Sequence, residues 1–458
     1  MPKLSADEHV LMVAYYYPPL GGIGSQRSQK FARYLSGFGW TPIVLTPERG
    51  AYYVDRSLDD GASKGVTIVR TPAFDPSSAF KRLVGSRSSG VGQPFPAVAE
   101  LRPLEGGRIV NRLRDFVRTW VYVPDGQVGW LPYAVRAGAR ALESRNVKVL
   151  YSSSFPVTSH LVAYWLKRRT GTPWVADFRD LWTENHYARA TSPLRRKLDR
   201  AMEAKLLAAA DALVTVSDTW AEALRRLSGG RKRVVVIRNG FDPVEIAPIT
   251  VSKADRWTVT HVGTFYGSRQ DPSPFLKVLA RLIGDGRIAR DQVRFNVVGG
   301  EDPFVRERVR EFQLEDVTTW VGVVPHGESL SHQVNSSLLL LIIREEAANA
   351  GLIPGKLYEY LGARRPILGI VPRHFEAAEI IRRAGAGIVC DATDEVALER
   401  CLLDSYSAFR SGMPSMKLDG DLSPYERRAQ AGQLAALLSD VTGPRASAPL
   451  GGWPAGHR

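Results

Sequence analysis

Short apolar runs alternate with amphipathic segments of helical length along most of the chain. In the first half the apolar runs are Val10–Tyr17, Pro42–Leu45, Val149–Ser152, Trp174–Ala176, Leu213–Val216 and Val234–Ile237. Segments with helical periodicity lie between them at Ser25–Phe38, Leu131–Leu142 and Leu194–Leu207. Strands that alternate with helices favour a parallel sheet with helices on both faces.

The helix predicted at Leu194–Leu207 has both a start signal and an apolar face. It follows Thr191-Ser192-Pro193, a capping residue with proline at the first helical turn. Leucine and methionine side chains recur at helical spacing along it, at Leu194, Leu198, Met202 and Leu206. This stripe is expected to face the core.

A second series of the same kind occupies the second half of the chain. Its strand-like runs are Trp257–Val262, Val293–Val298, Thr319–Val321, Leu338–Ile342 and Pro366–Ile370. Two such series predict two doubly wound α/β lobes with Rossmann-like parallel sheets, over residues 1–245 and 255–420. At 458 residues, the chain is also long enough to form two cores.

Composition limits the class of protein. Hydrophobic residues make up 44% and charged residues 24%, which is globular composition. The two cysteines, Cys390 and Cys401, form no C-x-x-C pair, which excludes a disulfide framework and fits a reducing cytoplasm. The apolar runs are too short to span a membrane, and the first of them is interpreted as a strand rather than a signal peptide.

The charge is strongly basic, with 61 Lys and Arg residues against 47 Asp and Glu, a formal +14. This favours anionic partners: nucleotide phosphates, nucleic acid or an anionic membrane. Arginines recur through a predicted insertion over Pro76–Gly107 and the helix after it, at Arg82, Arg87, Arg102, Arg108, Arg112, Arg114 and Arg118. They suit a helix at a membrane surface better than base recognition, and no nucleic-acid motif accompanies them. A solvated basic face is the alternative.

The first strand runs into a glycine-rich turn, Pro18-Pro19-Leu20-Gly21-Gly22-Ile23-Gly24-Ser25-Gln26-Arg27. Glycines between a strand and a helix let backbone N–H groups approach an anion at the helix start. The dinucleotide pattern G-x-G-x-x-G is only partly met, because Arg27 occupies the third glycine position. A tight strand–helix turn explains Gly22 and Gly24 equally well.

Charged side chains follow the strand Trp174–Ala176. The motif is Asp177-Phe178-Arg179-Asp180-Leu181-Trp182. Ligands bind outside the carboxyl ends of parallel strands, so this motif is placed to hold ligand hydroxyl groups. A surface ion-pair cluster is the alternative. His160 could orient a hydroxyl, but it lies in an apolar stretch and is at least as well explained as a core histidine.

A third motif, Ile353-Pro354-Gly355-Lys356-Leu357-Tyr358-Glu359-Tyr360-Leu361, predicts a helix start. A lysine in the first helical turn opposes the helix dipole unless an anion such as a diphosphate binds there. Glu359, one turn further on, could accept hydrogen bonds from ribose hydroxyls. The alternative is an ordinary salt bridge between Lys356 and Glu359.

In combination, these motifs resemble the family 4 glycosyltransferases of the GT-B fold. The similarity extends from Val10 to about Leu438. The matching residues are Pro18-Pro19-x-Gly-Gly-x-Gly, Asp177-Phe-Arg-Asp-Leu-Trp182, Val216-Ser217, Ile237-x-Asn239-Gly240, Gly263 and Lys356-Leu-x-Glu-Tyr-Leu361. Their order and spacing make the combination specific, although each motif alone is a weak signal.

The resemblance implies an architecture and a chemistry. The lobe 1–245 would bind the acceptor, the lobe 255–420 would hold a nucleotide-diphosphate sugar, and a helix at 421–442 would cross back to the first lobe. The tail 443–458 is expected to be disordered. The sugar would be transferred with retention of configuration, with neither a cofactor nor a metal.

The resemblance also assigns roles to residues. Glu359 matches the ribose-binding glutamate, and Gly263 matches a glycine of the donor site. Gly322, Val323 and His326 match the loop beside the base, and Gly22 and Gly24 the loop facing donor and acceptor. The acceptor side would comprise Asp177, Arg179, Asp180, Trp182 and His160. Lys356 and Arg269 would stabilise charge on the leaving diphosphate.

Two positions depart from the family pattern. Thr264 replaces a second phosphate-binding arginine, and Gly351 replaces the first glutamate of the usual E-x7-E pair. Lys356 is expected to supply part of the missing positive charge. Contacts to the sugar would then come from elsewhere, such as the backbone of Ala350–Ile353.

The sequence therefore predicts a bacterial, metal-independent glycosyltransferase for polysaccharide biosynthesis. It would be cytoplasmic, at the inner membrane face, and would act on a glycan or lipid-linked acceptor. The alternatives are a sugar-nucleotide epimerase or phosphorylase of the same fold, or a protein that binds anionic surfaces or nucleic acid.

Overall fold

The computed structural model describes residues 8–21, 23–48, 65–74, 116, 119–185, 192–252, 254–265, 267–346, 350–413, 416 and 419–443. Gly22, the predicted arginine-rich insertion and the tail beyond residue 443 lie outside the described residues. The side chain of Arg269 is likewise not described.

The first lobe is built on a seven-stranded sheet in which every pairing is parallel. Its strands are β1 (Glu8–Val13), β2 (Trp40–Pro47), β3 (Thr67–Thr71), β4 (Val147–Ser154), β5 (Trp174–Phe178), β6 (Ala212–Thr215) and β7 (Arg233–Val236). They lie in the order β3-β2-β1-β4-β5-β6-β7. The helices are α1 (Ile23–Leu35), α2 (Leu131–Ser144), α3 (Thr158–Thr170), α4 (Pro193–Ala209), α5 (Asp218–Leu227) and the short α6 (Pro243–Ile246).

The second lobe repeats this plan with a six-stranded parallel sheet. Its strands are β8 (Trp257–Val262), β9 (Val293–Val298), β10 (Thr318–Gly322), β11 (Leu338–Ile342), β12 (Ile367–Ile370) and β13 (Gly387–Cys390), in the order β10-β9-β8-β11-β12-β13. The helices are α7 (Ser273–Gly284), α8 (Pro303–Glu311), α9 (His326–Val334), α10 (Gly355–Ala363), α11 (Glu376–Arg383) and α12 (Glu395–Ser411). The predicted fold class of two doubly wound lobes is confirmed.

Both faces of the first sheet are buried, which explains why its strands are apolar at successive positions. Leu11 and Val13 of β1 pack with α2 and α3, whereas Val10 and Met12 pack on the opposite face against α1. The α4 stripe differs from the prediction: Leu206 is buried, but Leu194 is 62% exposed and Leu198 is 38% exposed. Only the C-terminal part of α4 therefore reaches the core.

The last helix, α13 (Arg427–Thr442), returns to the first lobe. Its Ala431, Leu434 and Leu438 join the cluster that contains Phe31 and Leu35 of α1. A helix that follows the second lobe in sequence thus completes the core of the first. The two lobes are therefore connected twice, once between β7 and β8 and once before α13.

A buried arginine fixes the segment that leaves the first lobe. Arg27 of α1 has no solvent exposure, and its Nε lies 2.8 Å from Oδ2 of Asp177, at the end of β5. Its Nη2 donates to the carbonyl oxygen of Ile237 at 2.9 Å, and its Nη1 donates to that of Arg238 at 3.0 Å. The hydroxyl of Tyr151 also donates to Asp177. One ion pair therefore joins α1, β5 and the start of the interlobe connection.

We expect removal of either partner to be strongly destabilising, because it leaves a buried charge uncompensated. Arg27→Met or Asp177→Asn should lower the free energy of unfolding by about 3–5 kcal/mol, measured by urea titration. Arg233→Met breaks a pair with Asp440 in which both side chains are about half exposed, and serves as control. It should change stability by less than about 1 kcal/mol. A comparable small loss in the Arg27 and Asp177 variants would contradict this interpretation.

Candidate functional site

The carboxyl ends of the central strands of both sheets meet at one cleft. The glycine-rich turn follows β1, and the motif beginning at Asp177 closes β5. In the second lobe, Gly263 follows β8 and helix α10 begins at Gly355. In each sheet the strand order runs one way from the first strand and then the other way, so a switch point lies between β1 and β4 and between β8 and β11. Ligands bind at such switch points in open parallel sheets.

Lys356 lies in the first turn of α10 and points toward the end of β8. Its Nζ is 3.1 Å from Nε2 of His261, and a Cβ atom added to Gly263 would lie 3.2 Å from the same Nζ. Gly263 has φ = +98°, a conformation that favours glycine. Desolvation lowers the pKa of Lys356 to about 7, although the nearby charge of Glu359 opposes this. The end of β8, Gly263 and Lys356 together have the chemistry of an anion-binding site.

Glu359 does not pair with Lys356, so the predicted alternative of a simple salt bridge is wrong. Its Oε2 accepts a hydrogen bond from Nε2 of Gln333 at 2.9 Å, and its Oε1 lies 3.9 Å from Nδ1 of His326. The carboxylate is only partly buried, so it can still accept hydrogen bonds from a ligand. Gln333 was not identified from the sequence.

His326 links Glu359 of the second lobe to the interlobe connection. Its Nε2 is 3.8 Å from Oε2 of Glu245 in α6, whose Oε1 is 2.6 Å from Nζ of Lys30 in α1. Despite burial, the contacts with Glu245 and the charge of Glu359 raise the pKa of His326. For Glu245, burial favours a higher pKa, but its contacts with His326 and Lys30 outweigh burial and lower the pKa to about 2.

These side chains enclose a small interlobe cavity. Its polar lining includes Gln26, Lys30, Glu245, His326, Glu359 and Arg427. The cavity measures ≈ 20 Å³, which leaves room for about one water molecule. The lobes therefore lie close together at this point.

The structure describes some of the other residues predicted for the donor side fully and others only in part or not at all. Gly322 ends β10 with φ = +83°, and the carbonyl oxygen of Gly322 accepts a hydrogen bond from the amide of Gly299 at 2.8 Å. Val323 follows and is exposed. Arg269 lies in the short turn Gly267–Gln270, and its predicted contact with a diphosphate stays a prediction. The predicted role of Gly22, in the loop facing donor and acceptor, also stays a prediction.

On the acceptor side, Asp177 is not available to a ligand. Its carboxylate is fully buried and occupied by Arg27 and Tyr151. The prediction that it holds ligand hydroxyls does not fit this placement, because both oxygens face the interior of the lobe. Asp177 therefore acts structurally.

Arg179 joins the glycine-rich turn to the motif after β5. Its Nε donates to the carbonyl oxygen of Ser154, and its guanidinium lies so close to Gly24 that an added Cβ would be 2.5 Å from Nη1. Any side chain at position 24 would therefore displace Arg179. Arg179 and Asp180 are both half-buried. Desolvation of its carboxyl group raises the pKa of Asp180, although the charge of Arg179 opposes this.

The other two predicted acceptor residues lie in the core. Trp182 is buried with the apolar cluster of the first lobe. His160 is fully buried: its Nδ1 is 2.8 Å from Oγ of Ser152, and its ring packs against Phe178. Burial lowers the pKa of His160 to about 3. The core-histidine interpretation accounts for these contacts, whereas the role in orienting an acceptor hydroxyl does not.

A contact that the sequence did not predict holds the lobes together. Glu376, the first residue of α11, accepts hydrogen bonds from the amides of Asp218 at 2.9 Å and Thr219 at 2.7 Å. These amides are at the N-terminus of α5 in the other lobe, where a carboxylate interacts favourably with the helix dipole. Arg238 adds an ion pair to Glu376 at 3.3 Å. Glu376 therefore caps a helix across the cleft.

Gly351 lies beside this contact and explains a departure from the family pattern. A Cβ atom at this position would lie 2.7 Å from Cδ1 of Trp220 and 3.0 Å from Cβ of Thr219. The position of the missing glutamate thus packs directly on α5. In this arrangement of the lobes, no side chain fits there.

Among the described residues, no group of three or more histidine, cysteine, aspartate or glutamate side chains could hold a metal ion. None of the helices that the structure describes is long and apolar enough to cross a membrane.

Comparison with known proteins supports the assignment that the fold and the cleft suggest. Residues 21–240 match the family model described as glycosyl transferase 4-like domain. The probable glycosyltransferase WbjE from Pseudomonas aeruginosa is 23% identical over 309 residues, which cover 64% of this chain and 74% of WbjE.

Solved structures with the same architecture are remote in sequence. Sucrose-phosphate synthase from Thermosynechococcus elongatus aligns with a TM-score of 0.59 at 14% identity, over 95% of this chain and 99% of its own. HepE from Anabaena, in complex with UDP and glucose, aligns with a TM-score of 0.58 at 13% identity, over 94% of this chain and 99% of its own. These similarities establish the fold.

The protein is a glycosyltransferase with the GT-B fold. Its first lobe matches the glycosyl transferase 4-like domain over residues 21–240, and the predicted resemblance to family 4 is confirmed.

The close packing at Gly351 gives a testable prediction. Gly351→Ala should push α5 and the second lobe apart, because the added Cβ has no space. We expect a loss of about 1–3 kcal/mol of stability, typical of overpacking, and a larger radius of gyration in small-angle X-ray scattering. Gly284→Ala, where nothing lies within 4 Å of the added atom, is the control. Equal behaviour of the two variants would show that the lobes do not pack this way in solution.

Proposed function

We propose that this glycosyltransferase transfers a sugar from a nucleoside diphosphate sugar to a glycan or lipid-linked acceptor, with retention of configuration and without a metal ion. The observation that carries the donor assignment is the position of Lys356, in the first turn of α10 and beside Gly263. A cation there and the N-terminus of the helix both favour a diphosphate.

The donor would lie along the second lobe. Its diphosphate would contact Lys356 and the helix start, and its ribose hydroxyls would donate to Glu359. The loop after β10, from Gly322 to His326, would lie beside the base. HepE, which has the same fold, forms a complex with UDP and glucose, and this supports a nucleotide ligand for this chain.

Catalysis would depend on positioning and on charge. As the bond between sugar and diphosphate breaks, negative charge grows on the leaving phosphate oxygens, where Lys356 and Arg269 would stabilise it. The leaving diphosphate would take the proton of the attacking acceptor hydroxyl. On this proposal the chain supplies neither a protein nucleophile nor a dedicated base, and His160 is not needed.

The donor site can be tested by titrating the protein with UDP, GDP, ADP and CMP in the absence of metal and following thermal stability. One nucleoside diphosphate should stabilise the protein, and Lys356→Ala and Glu359→Ala should each weaken its binding about tenfold or more. A hydrogen bond or ion pair to a charged group contributes about 1.5–3 kcal/mol. Lys277→Ala, which removes an exposed lysine of the same lobe, is the matched control.

If none of these nucleotides binds, or if the variants bind as well as the wild type, the donor-site assignment is wrong. Turnover then separates the enzymatic alternatives. A transferase should consume its sugar nucleotide only with an acceptor, apart from slow hydrolysis. Conversion of the sugar nucleotide without an acceptor would instead indicate an epimerase.

We also propose that the enzyme works on an anionic membrane surface at the cytoplasmic face. The formal charge of +14 supports this. So does a groove of ≈ 620 Å³ between α2 and α3, lined by Arg136, Arg140, Arg169 and the half-exposed Trp165. Arginine and tryptophan side chains together suit an interface with anionic lipid.

Vesicle flotation tests this location. At low salt the protein should float with vesicles that contain phosphatidylglycerol, and the double variant Arg136→Glu, Arg140→Glu should not. Reversing two charges on α12 with Arg400→Glu and Arg410→Glu should leave flotation intact. If the wild type stays unbound, the membrane proposal fails and the transferase proposal survives.

A further inference from the structure

A contact between two basic side chains lies at the centre of the proposed donor site. Nζ of Lys356 is 3.1 Å from Nε2 of His261, which is fully buried in β8. Two basic groups at hydrogen-bond distance repel each other unless one of them is neutral and accepts. The surroundings of His261 decide which one accepts.

The other ring nitrogen fixes the tautomer of His261. Its Nδ1 lies 3.0 Å from the carbonyl oxygen of Leu340 in β11. A carbonyl oxygen only accepts, so Nδ1 carries the proton, and the Nε2 of the neutral ring has a free lone pair directed at Lys356. Burial and the charge of Lys356 both lower the pKa of His261 well below its ordinary value, which keeps the ring neutral.

The imidazole is also fixed in orientation. Its ring stacks on Phe265, with 3.9 Å between centroids and 18° between planes. With one nitrogen bound to the sheet and one face against an aromatic ring, the acceptor lone pair has a fixed direction. It therefore determines where the end of the flexible lysine side chain lies.

We propose that His261 is the positioning residue for Lys356, accepting a hydrogen bond from its amine and directing that amine to the diphosphate of the donor. This inference rests on the proposed function, because it requires that a nucleoside diphosphate sugar binds beside Gly263. It adds a role for a residue that the sequence motifs do not include.

The protonation state of Lys356 should make donor binding depend on pH. The pKa of Lys356 is lowered to about 7, so near neutral pH about half of the free protein carries a neutral amine. A bound diphosphate favours the ammonium form, and the amine then takes up a proton from the buffer. Affinity should be highest below about pH 7 and should fall by up to about tenfold per pH unit above it.

Other titratable groups surround this pair and need to be separated from it. Among the described residues, Glu359 faces Lys356 from the same helix, and His326 and Glu245 lie beyond Glu359. Despite burial, the contacts of His326 with Glu245 and Glu359 raise its pKa, so its protonation has to be distinguished from that of Lys356. Lys356→Arg isolates the lysine, because arginine stays charged and exchanges no proton in this range.

The first measurement uses the wild-type protein with UDP-glucose, GDP-glucose and ADP-glucose. Their phosphates do not titrate near neutral pH, unlike the terminal phosphate of a free nucleoside diphosphate. Calorimetry with the sugar nucleotide that binds, in two buffers of different ionisation enthalpy, counts the protons taken up. At about pH 7 we expect roughly half a proton in the wild type and a markedly smaller uptake in Lys356→Arg.

Variants of His261 then test the positioning role. His261→Phe keeps an aromatic ring on Phe265 but removes the acceptor. It should weaken binding about tenfold near pH 7 and move the fall in affinity to lower pH, because the ammonium loses its acceptor. His261→Gln retains an acceptor oxygen and should restore most of the affinity. Thr258→Val, elsewhere on β8, controls for damage to the strand.

The outcomes separate the two proposals. If the wild type binds none of the three sugar nucleotides, the proposed donor site fails, and this inference fails with it. If it binds one without proton uptake, only this inference is overturned. If His261→Phe weakens binding equally at every pH, or His261→Gln does not recover it, His261 is structural and the positioning role is wrong.

Discussion

The buried pair of Arg27 and Asp177 is the constraint on which the arrangement of the two lobes depends. A charge placed in the interior must be matched, and the guanidinium is matched by one carboxylate and by two carbonyl oxygens of the interlobe connection. This fixes where the chain leaves the first lobe. On the far side of the connection, Gln430 of α13 donates to the carbonyl oxygen of Asn239 at 2.7 Å. The connection is therefore held from both sides, and the cleft forms at a defined place.

The contacts across the cleft are of a different kind. They are polar, and their side chains are mostly partly buried: Glu376 with the amides at the start of α5, and Glu245 of α6 with His326. Polar groups of this kind can exchange their protein partners for water. A fixed connection combined with polar contacts across the cleft is compatible with opening and closing of the lobes. That combination suits an enzyme that must admit a nucleotide sugar and then exclude water.

The sequence predicted the fold well because the apolar runs of the central strands are unambiguous, as in β8 and β11. It missed β3 and β13, which are short strands at sheet edges and are only partly buried. In the cleft it identified Lys356 and Glu359 from their place at a helix start. It did not identify His261, since a histidine within an apolar strand looks like a core residue. Asp177 gave the opposite error: its motif indicates a ligand, but its partner Arg27 lies 150 positions away in sequence.

The departures from the family pattern become consistent once His261 is included. Thr264 removes one positive charge from the phosphate side, and Gly351 removes one negative charge from the sugar side, where α5 packs. Among the described side chains, Lys356 lies beside the neutral Nε2 of His261, and the carboxylate of Glu359 is one turn away. A fully charged site would bind a phosphate anion tightly before and after reaction. A lysine that is charged once the donor is bound interacts more strongly as negative charge accumulates on the leaving diphosphate, and this difference between ground state and transition state is what accelerates the reaction.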